Sequence, residues 1–286
     1  FLLLIALFFP GVGTEVNGSL RWIRIGPINI QPSEVSKIAL VIYISGYCVR
    51  RLSEINTSLG FLRPLAVLTL FGLLIMSQPD LGSTLVVGAL VVAILFFAGI
   101  SFLQFSLLIL LMAGLAAIAV YLEPYRYIRF ISFTEPFENF YGPGWQLSNA
   151  LLGIGRGEWF GLGLGNGLQK NLYLPEPHTD FIFTLFSEEF GFVGSIGLLL
   201  VYSILIYRII YIGSISRNFF SKLFCYGYGS SIFIYIAVNM SMVLGLLPIV
   251  GSPLPIMSYG GSSMLATMLG LGVVLSSKIY HRQIIA

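Results

Sequence analysis

Residues 64–122 read PLAVLTLFGLLIMSQPDLGSTLVVGALVVAILFFAGISFLQFSLLILLMAGLAAIAVYL, and Asp80 is the only charged residue among them. A helix needs about 20 apolar residues to cross a hydrocarbon core about 30 Å thick. Because lipid offers peptide groups no hydrogen-bond partner, so long an apolar run must be helical. Turn signals such as Gln78-Pro79-Asp80 divide the run. The stretch therefore predicts three membrane-spanning helices, at 64–78, 81–99 and 102–122.

The composition of the whole chain extends this prediction. Of its 286 residues, 57% are hydrophobic and only 9% are charged, whereas a soluble domain carries about 25% charged residues. The mean hydropathy is +0.91. These values exclude a soluble globular protein, and the net charge of +3 is too small to argue for a nucleic-acid partner. We therefore expect an all-α, polytopic helical membrane protein of about seven spans, the other four at 35–49, 191–212, 223–247 and 262–280.

The first ten residues are apolar, too few to span a membrane, and carry no initiating Met. We interpret them as the end of a helix whose beginning is missing. The chain is then an N-terminally truncated, single transmembrane domain covering residues 1–286.

Basic residues in the short loops predict the orientation of the spans. Arg50, Arg51 and Arg63 fall in one predicted loop, Arg208, Arg217 and Lys222 in another, and Lys278 and Arg282 in the C-terminal tail. Alternating spans place all of them on one side, which is then cytoplasmic and includes the C-terminus. The outer face receives the regions 11–33, 78–80, 123–190 and 248–261.

Arg21 and Arg24 break this rule, because they fall on the outer face. Interfacial snorkelling beside Trp22 explains them as well as an anionic ligand does.

The outer segment 123–190 is too long to be only a connector, since loops of this size are usually functional. It is predicted to form an extracytoplasmic loop with an interfacial helix near 144–152. Its glycine run, 161–167, does not follow a strand in a βαβ unit, so we reject a nucleotide-binding loop. A tight turn or a close approach of the backbone to a ligand fits these glycines better.

An imidazole and several carboxylates gather at the end of this loop, immediately before an apolar helix. Thr179 or Asp180 could simply be the N-cap of that helix. A cap does not explain the whole group, and carboxylates at a membrane boundary are candidates for function. Such a carboxylate can accept a proton from a hydroxyl group. The group consists of Glu176, His178, Asp180, Glu188 and Glu189.

Two further charged positions lie at predicted helix starts. Glu34 and Lys37 stand one turn apart after Pro32, which suits the first helical position. They are either a salt bridge at the start of the helix or a charged pair in a polar cavity. Asp80 either caps the helix that follows or faces the same cavity.

The segment 251–263, GSPLPIMSYGGSS, combines prolines with Gly-Gly-Ser-Ser. It predicts a broken, re-entrant segment, because irregular backbone at membrane depth is tolerated where protein or a wet cavity surrounds it. A tight loop with Ser262 capping the last helix is the alternative.

Taken together, these motifs resemble the SEDS (FtsW/RodA/SpoVE) family of cell-wall polymerases, through almost the whole chain and in the same order. Residues 153–158 and 163–170 are more similar to the division branch than to the elongation branch. The motifs are Asn17-Gly18-Ser19 with Arg21-Trp22-Ile23, Gln31-Pro32-Ser33-Glu34 with Lys37, Gln78-Pro79-Asp80-Leu81-Gly82, Pro175-Glu176 with His178-Thr179-Asp180-Phe181-Ile182-Phe183, Glu188-Glu189, and Ser258-Tyr259-Gly260-Gly261-Ser262-Ser263.

The resemblance implies a glycosyltransferase with ten helices in the complete protein, which polymerises lipid II on the outer face of the bacterial plasma membrane during division. Asp180 matches the family's essential aspartate, and Glu34 and Lys37 match its polar pair. The implied partners are lipid II, undecaprenyl-pyrophosphate-linked glycan, a class B penicillin-binding protein, other division proteins at the septum, and membrane lipid.

The resemblance also implies a mechanism with Asp180 as the general base. Arg21, Arg24, Lys37 or a divalent cation would neutralise the departing pyrophosphate. Further substrate-binding candidates are Glu176, His178, Asp80, Ser262 and Ser263. A lipid II flippase and a non-catalytic scaffold for division proteins are the alternative functions.

Overall fold

The computed structural model describes residues 1–9, 12–16, 19–26, 28–170 and 174–285. Within them the chain is mainly helical, with one small sheet, which confirms the predicted fold class. The helices are α1 (Leu2–Ala6), α2 (Pro32–Arg50), α3 (Ser58–Met76), α4 (Leu81–Ala98), α5 (Phe102–Leu122), α6 (Pro124–Thr134), α7 (Trp145–Arg156), α8 (Ile182–Ile215), α9 (Phe219–Val243) and α10 (Gly261–Ile285).

Five of these helices, α3, α4, α5, α8 and α9, are long and apolar enough to cross a membrane. The predicted spans near 35–49 and 262–280 also form helices, α2 and α10, but they are outside this set. Helix α2 carries four polar side chains in its first two turns: Ser33, Glu34, Ser36 and Lys37.

Several predicted helix boundaries were wrong. Helix α3 begins at Ser58 rather than 64, because Thr57 caps it by accepting a hydrogen bond from the Gly60 amide at 3.2 Å. Arg63 therefore lies inside a helix and not in a loop. Helix α8 begins at Ile182 rather than 191 and continues through a kink at Gly191, whose φ of 66° suits glycine. Helix α6 was not predicted.

A three-stranded antiparallel sheet occupies part of the region expected to be a loop at 11–33. Its strands are β1 (Gly13–Val16), β2 (Ser19–Ile25) and β3 (Ile28–Ile30), paired in the order β1-β2-β3. Val16 pairs with Ser19, and the sequence joining them is Asn-Gly, which strongly favours a two-residue hairpin. That signal could have predicted the hairpin. Asn17 and Gly18 themselves, like Leu172 and Tyr173 of the long loop and the Arg282 side chain, lie outside the described residues.

The chain divides into two compact units. The first comprises residues Phe1–Gly114, Ile206–Ile234 and Gly261–Ala286, and the second comprises Leu115–Leu205 and Tyr235–Gly260. In the first unit, helices approach closely at glycines: a Cβ on Gly227 of α9 would lie 2.6 Å from Cγ1 of Ile94. Tyr228 on the same helix donates a hydrogen bond to the carbonyl of Thr267 on α10 at 2.7 Å. The expected single transmembrane domain stays a prediction.

Candidate active site

The loop before α8 is held through three consecutive backbone carbonyls, those of His178, Thr179 and Asp180. The Tyr259 amide donates to the His178 carbonyl at 2.8 Å, and the Ser258 hydroxyl donates to the Thr179 carbonyl at 2.6 Å. The Asn239 side-chain amide donates to the Asp180 carbonyl at 2.8 Å. All of these residues belong to the second unit. The backbone that carries Asp180 is thus fixed on both sides of its Cα.

Asp180 is half-buried and lies in the turn that precedes α8. Because α8 begins at Ile182 and the Phe181 carbonyl accepts from the Leu185 amide, Phe181 occupies the N-cap position. The interpretation of Thr179 or Asp180 as the N-cap was therefore wrong. A Cβ on Gly251 would lie 3.2 Å from Oδ2 of Asp180, so the aspartate carboxylate rests against a backbone without a side chain.

Among the other members of the predicted group, Glu188 is fully buried on α8, whereas the two on the Asp180 loop face solvent. His178 and Glu176 are both exposed. The Thr179 hydroxyl donates to the Glu176 carbonyl at 3.1 Å and approaches Oε2 of the same residue at 3.4 Å. The sequence therefore placed three polar residues together, and only Asp180 is partly withdrawn from water.

Asn239 is a site residue that the sequence analysis missed. It is fully buried on α9, and its Nδ2 donates both to the Asp180 carbonyl and, at 2.5 Å, to the Ser252 carbonyl. One amide group thus joins the loop before α8 to the segment after α9. A lone amide in an apolar helix was the available signal, since polar residues inside membrane helices are uncommon and functional.

The segment between α9 and α10 is non-helical, as predicted from its prolines and glycines. The Ser258 hydroxyl is both an acceptor and a donor. It accepts a hydrogen bond from the Leu254 amide at 2.7 Å and donates one to the Thr179 carbonyl. Tyr202 of α8 donates to the Pro255 carbonyl at 2.6 Å. These bonds satisfy backbone groups that would otherwise be unpaired in an irregular buried segment.

In the first unit, Arg21 is held against the turn at 78–80. Its Nε donates to the Gln78 carbonyl at 3.1 Å, its Nη2 to the Pro79 carbonyl at 2.8 Å, and its Nη1 lies 3.5 Å from Oδ2 of Asp80. Asp80 also caps α4 by accepting from the Ser83 amide at 2.9 Å, which confirms the capping alternative. The structure thus gives Arg21 a reason for its position that the sequence analysis did not consider.

Arg24 lies three residues further along β2 and is exposed. Nε of Arg24 donates only to the nearby Gly26 carbonyl, at 3.4 Å.

Ser262 is the second residue of α10, so the interpretation of Ser262 as its cap was wrong. Its hydroxyl accepts from the Gln31 amide and donates to the Asn29 carbonyl, both at 2.9 Å. It thereby fastens the last helix to the end of β3. The carbonyl of Ser263, the next residue, accepts from the Thr267 hydroxyl at 2.7 Å.

Glu34 and Lys37 form a buried ion pair, with 2.7 Å between Oε1 and Nζ. Both side chains are at least nine-tenths buried, so the salt-bridge alternative is confirmed. The use of these two charges in a polar cavity stays a prediction.

We expect Glu34→Gln to lower the free energy of unfolding by about 3 kcal/mol, because it leaves the buried Lys37 ammonium without its carboxylate. The unfolding temperature of the purified protein measures this. The double variant Glu34→Gln/Lys37→Met, which removes both charges, should recover part of the loss. A single variant as stable as the parent would contradict a structural role for the pair.

The glycine run contacts another part of the backbone. The amides of Leu162 and Gly163 donate to the carbonyls of Glu188 and Glu189 at 3.0 and 3.1 Å. A Cβ on Gly161, whose φ is +81°, would lie 2.1 Å from the Glu189 carbonyl oxygen. The close approach predicted for these glycines is real, but its partner is the beginning of α8.

We expect Gly161→Ala to lower the unfolding temperature, because the backbone conformation alone costs about 1–3 kcal/mol and the methyl group overlaps the carbonyl. Gly155→Ala is the matched control. Gly155 lies within α7 and a Cβ there meets no atom within 4 Å, so this change should be neutral or stabilising by up to about 1 kcal/mol. Equal stability of the two variants would contradict the close approach.

In the described part of the chain, no three His, Cys, Asp or Glu side chains come together in a way that could hold a metal ion. Use of a divalent cation during the reaction stays a prediction.

The apolar helices and the fixed aspartate loop define a multi-pass helical membrane protein with a candidate catalytic carboxylate. The family model described as "Cell cycle protein", for FtsW, RodA and SpoVE, matches residues 1–283. The chain belongs to this family.

Relatives and solved structures agree with this assignment. The chain is 44% identical to a probable peptidoglycan glycosyltransferase FtsW from Alkalilimnicola ehrlichii, over 96% of this chain and 70% of that protein. It is 42% identical to the protein of the same name from Pseudomonas fluorescens, over 96% and 69%.

Among solved structures, one described as "Structural coordination of polymerization and crosslinking by a peptidoglycan synthase complex" matches with a TM-score of 0.77 and 30% identity, over 99% of this chain and 78% of that one. The rod shape determining protein RodA of Thermus thermophilus matches with a TM-score of 0.63 and 28% identity, over 98% and 74%.

Proposed function

We propose that this protein is a peptidoglycan glycosyltransferase that polymerises lipid II into β-1,4-linked glycan, with Asp180 as the general base. One observation carries the proposal: three successive carbonyls, of residues 178, 179 and 180, are each held by a separate donor. A base must be fixed within a fraction of an ångström of the proton that it accepts. Such a loop supplies that rigidity to a half-buried carboxylate. The names of the relatives support the same reaction.

In the proposed reaction, the 4-hydroxyl oxygen of the incoming lipid II attacks the anomeric carbon of the growing strand. The bond from that carbon to the pyrophosphate oxygen breaks, and undecaprenyl pyrophosphate leaves with the electron pair. The hydroxyl proton moves to the Asp180 carboxylate, and the configuration at carbon inverts. Pyrophosphate leaves without protonation, so the protein needs one base and no general acid.

Neutralisation of the pyrophosphate completes the proposal. Arranged cations stabilise developing charge on phosphoryl groups. Arg21, Arg24 and Lys37 are the proposed cationic groups. Arg21 and Lys37 already have carboxylate partners, Asp80 and Glu34. Arg24 is exposed, so binding an anionic ligand would disrupt fewer existing contacts at Arg24 than at Arg21 or Lys37.

The proposal also covers the location of the protein and its partners. We infer that Asp180 works at the outer face of the bacterial plasma membrane, with the C-terminus in the cytoplasm, and that the protein serves the division septum. The positive-inside pattern supports this orientation. A solved relative in a peptidoglycan synthase complex supports a class B penicillin-binding protein as the partner that cross-links the new strands. Other division proteins are proposed to activate the pair.

Incubation of the purified full-length protein with fluorescent lipid II in detergent tests this function. We expect a ladder of glycan polymers on a gel, with more product when the penicillin-binding partner is present. Detergent removes the barrier that a flippase acts across, and a scaffold makes no new bonds, so neither alternative produces a ladder. Unchanged lipid II in the presence of the partner would contradict the proposal.

A further inference from the structure

The carboxylate of Glu188 lies in the interior of the second unit with only half of its hydrogen-bonding capacity used. Glu188 is fully buried on α8. Its Oε2 accepts from the Gln169 amide at 3.0 Å, whereas its Oε1 has no hydrogen-bond partner within the described ranges of the chain. Among the described residues, no Lys, Arg or His comes within salt-bridge distance of it.

Two more unpaired oxygens belong to the same neighbourhood. Gln169 Oε1 and Thr184 Oγ1 are both buried without a hydrogen-bond partner among the described residues, and their residues are 2% and 0% exposed. A Cβ on Gly153 of α7 would lie 2.8 Å from Cγ of Gln169 and 2.9 Å from Cγ2 of Thr184, so both side chains pack beside this glycine. Thr184 and Glu188 are one turn apart on the same face of α8.

Three buried oxygens without a hydrogen-bond partner therefore belong to residues of one region of the second unit. Most buried polar atoms are hydrogen-bonded, and an uncompensated buried carboxylate is costly. The nearest basic residue in sequence, Lys170, is already used, because its Nζ contacts the carboxylate of Glu189 at 3.2 Å and the Gly165 carbonyl. A charged Glu188 would therefore need compensation by something other than a described side chain.

We propose that Glu188 Oε1, Gln169 Oε1 and Thr184 Oγ1 bind a small monovalent cation, of which Na⁺ is the best match. All three are hard oxygen ligands of the kind that such ions prefer. One carboxylate and two neutral oxygens balance a single positive charge. Ca²⁺ and Mg²⁺ carry two positive charges, and a single carboxylate would leave one of these uncompensated in the protein interior. The ion ties the glycine run to α7 and to the first turns of α8.

This site does not depend on glycosyl transfer, and its test is a binding measurement. The full-length protein is purified in choline chloride, and choline is then replaced stepwise by Na⁺ at constant ionic strength. We expect the unfolding temperature to rise saturably, by on the order of 5 °C at saturation. Radioactive sodium should be retained by the protein at one equivalent.

Glu188→Gln, which keeps the shape and removes the charge, should abolish both the shift and the sodium retention. Glu189→Gln is the matched control, since Glu189 pairs with Lys170 and should leave both unchanged. If Glu188→Gln does not fold, Thr184→Val removes one ligand at constant volume and should weaken sodium binding at least several-fold. Equal unfolding temperatures in sodium and choline, as expected for a proton or a water molecule at the site, would overturn the proposal. So would a shift produced by Mg²⁺ or Ca²⁺ and not by Na⁺.

Discussion

Asp180→Asn is expected to lower the rate of glycan polymerisation by about 10²- to 10⁴-fold, the usual contribution of a general base. The amide has the shape of the carboxylate but does not accept a proton at neutral pH. The anchors of this loop donate to backbone carbonyls, which the substitution leaves in place, so the variant should fold. The rate of ladder formation from fluorescent lipid II measures the effect.

Glu138→Gln is the matched control for this result, because Glu138 is an exposed carboxylate of the same unit with no role in the proposed reaction. It should polymerise lipid II at nearly the rate of the parent. Full activity of Asp180→Asn would remove Asp180 from the role of base. Complete loss of activity with a lowered unfolding temperature would mean that the side chain is needed for the fold instead.

Asn239→Asp is expected to reduce polymerisation by at least about tenfold, through loss of position at Asp180. The Asn239 amide donates to the carbonyls of Asp180 and Ser252. An aspartate of the same shape would turn an oxygen towards each carbonyl, and repulsion would replace both bonds. Breaking such a buried network also costs about 1–3 kcal/mol, so the unfolding temperature should fall as well.

A positioning role for Asn239 predicts a particular kinetic pattern. The kcat should fall while the KM for lipid II changes little, because Asn239 is fully buried and holds the base but does not contact substrate. Ser231→Ala, at a buried polar position on the same helix, is the matched control and should leave both constants unchanged. An Asn239→Asp variant that loses stability but keeps its kcat would show that the residue serves only the fold.

The sequence predicted the helical spans well because a long apolar run is visible in the sequence itself. An uncharged run such as 81–99 can satisfy its peptide groups in lipid only as a helix, and α4 covers Leu81–Ala98. Boundaries were less predictable where a cap outside the apolar run decided them. Thr57 starts α3 six residues before the apolar stretch that predicted it.

The candidate site was predicted only in part. Asp180 stood out because an imidazole and several carboxylates gather before an apolar helix, whereas Asn239 lies far away in the sequence and meets Asp180 through a long-range contact. Arg21 and Asp80 were both noticed, yet their ion pair joins residues far apart in the sequence, so residue spacing could not predict it.

Composition and hydropathy alone determined that this protein is a bundle of membrane helices, because the cost of an unpaired peptide group in lipid depends on no particular partner. Motif order alone indicated the family. Only the tertiary structure decided which polar groups act together: the donors to the carbonyls of residues 178–180, the ion pair of Glu34 and Lys37, and the unpaired oxygens around Glu188. Hydrogen bonds and ion pairs act over a few ångströms, so they depend on distances in space that the spacing of residues along the chain does not contain.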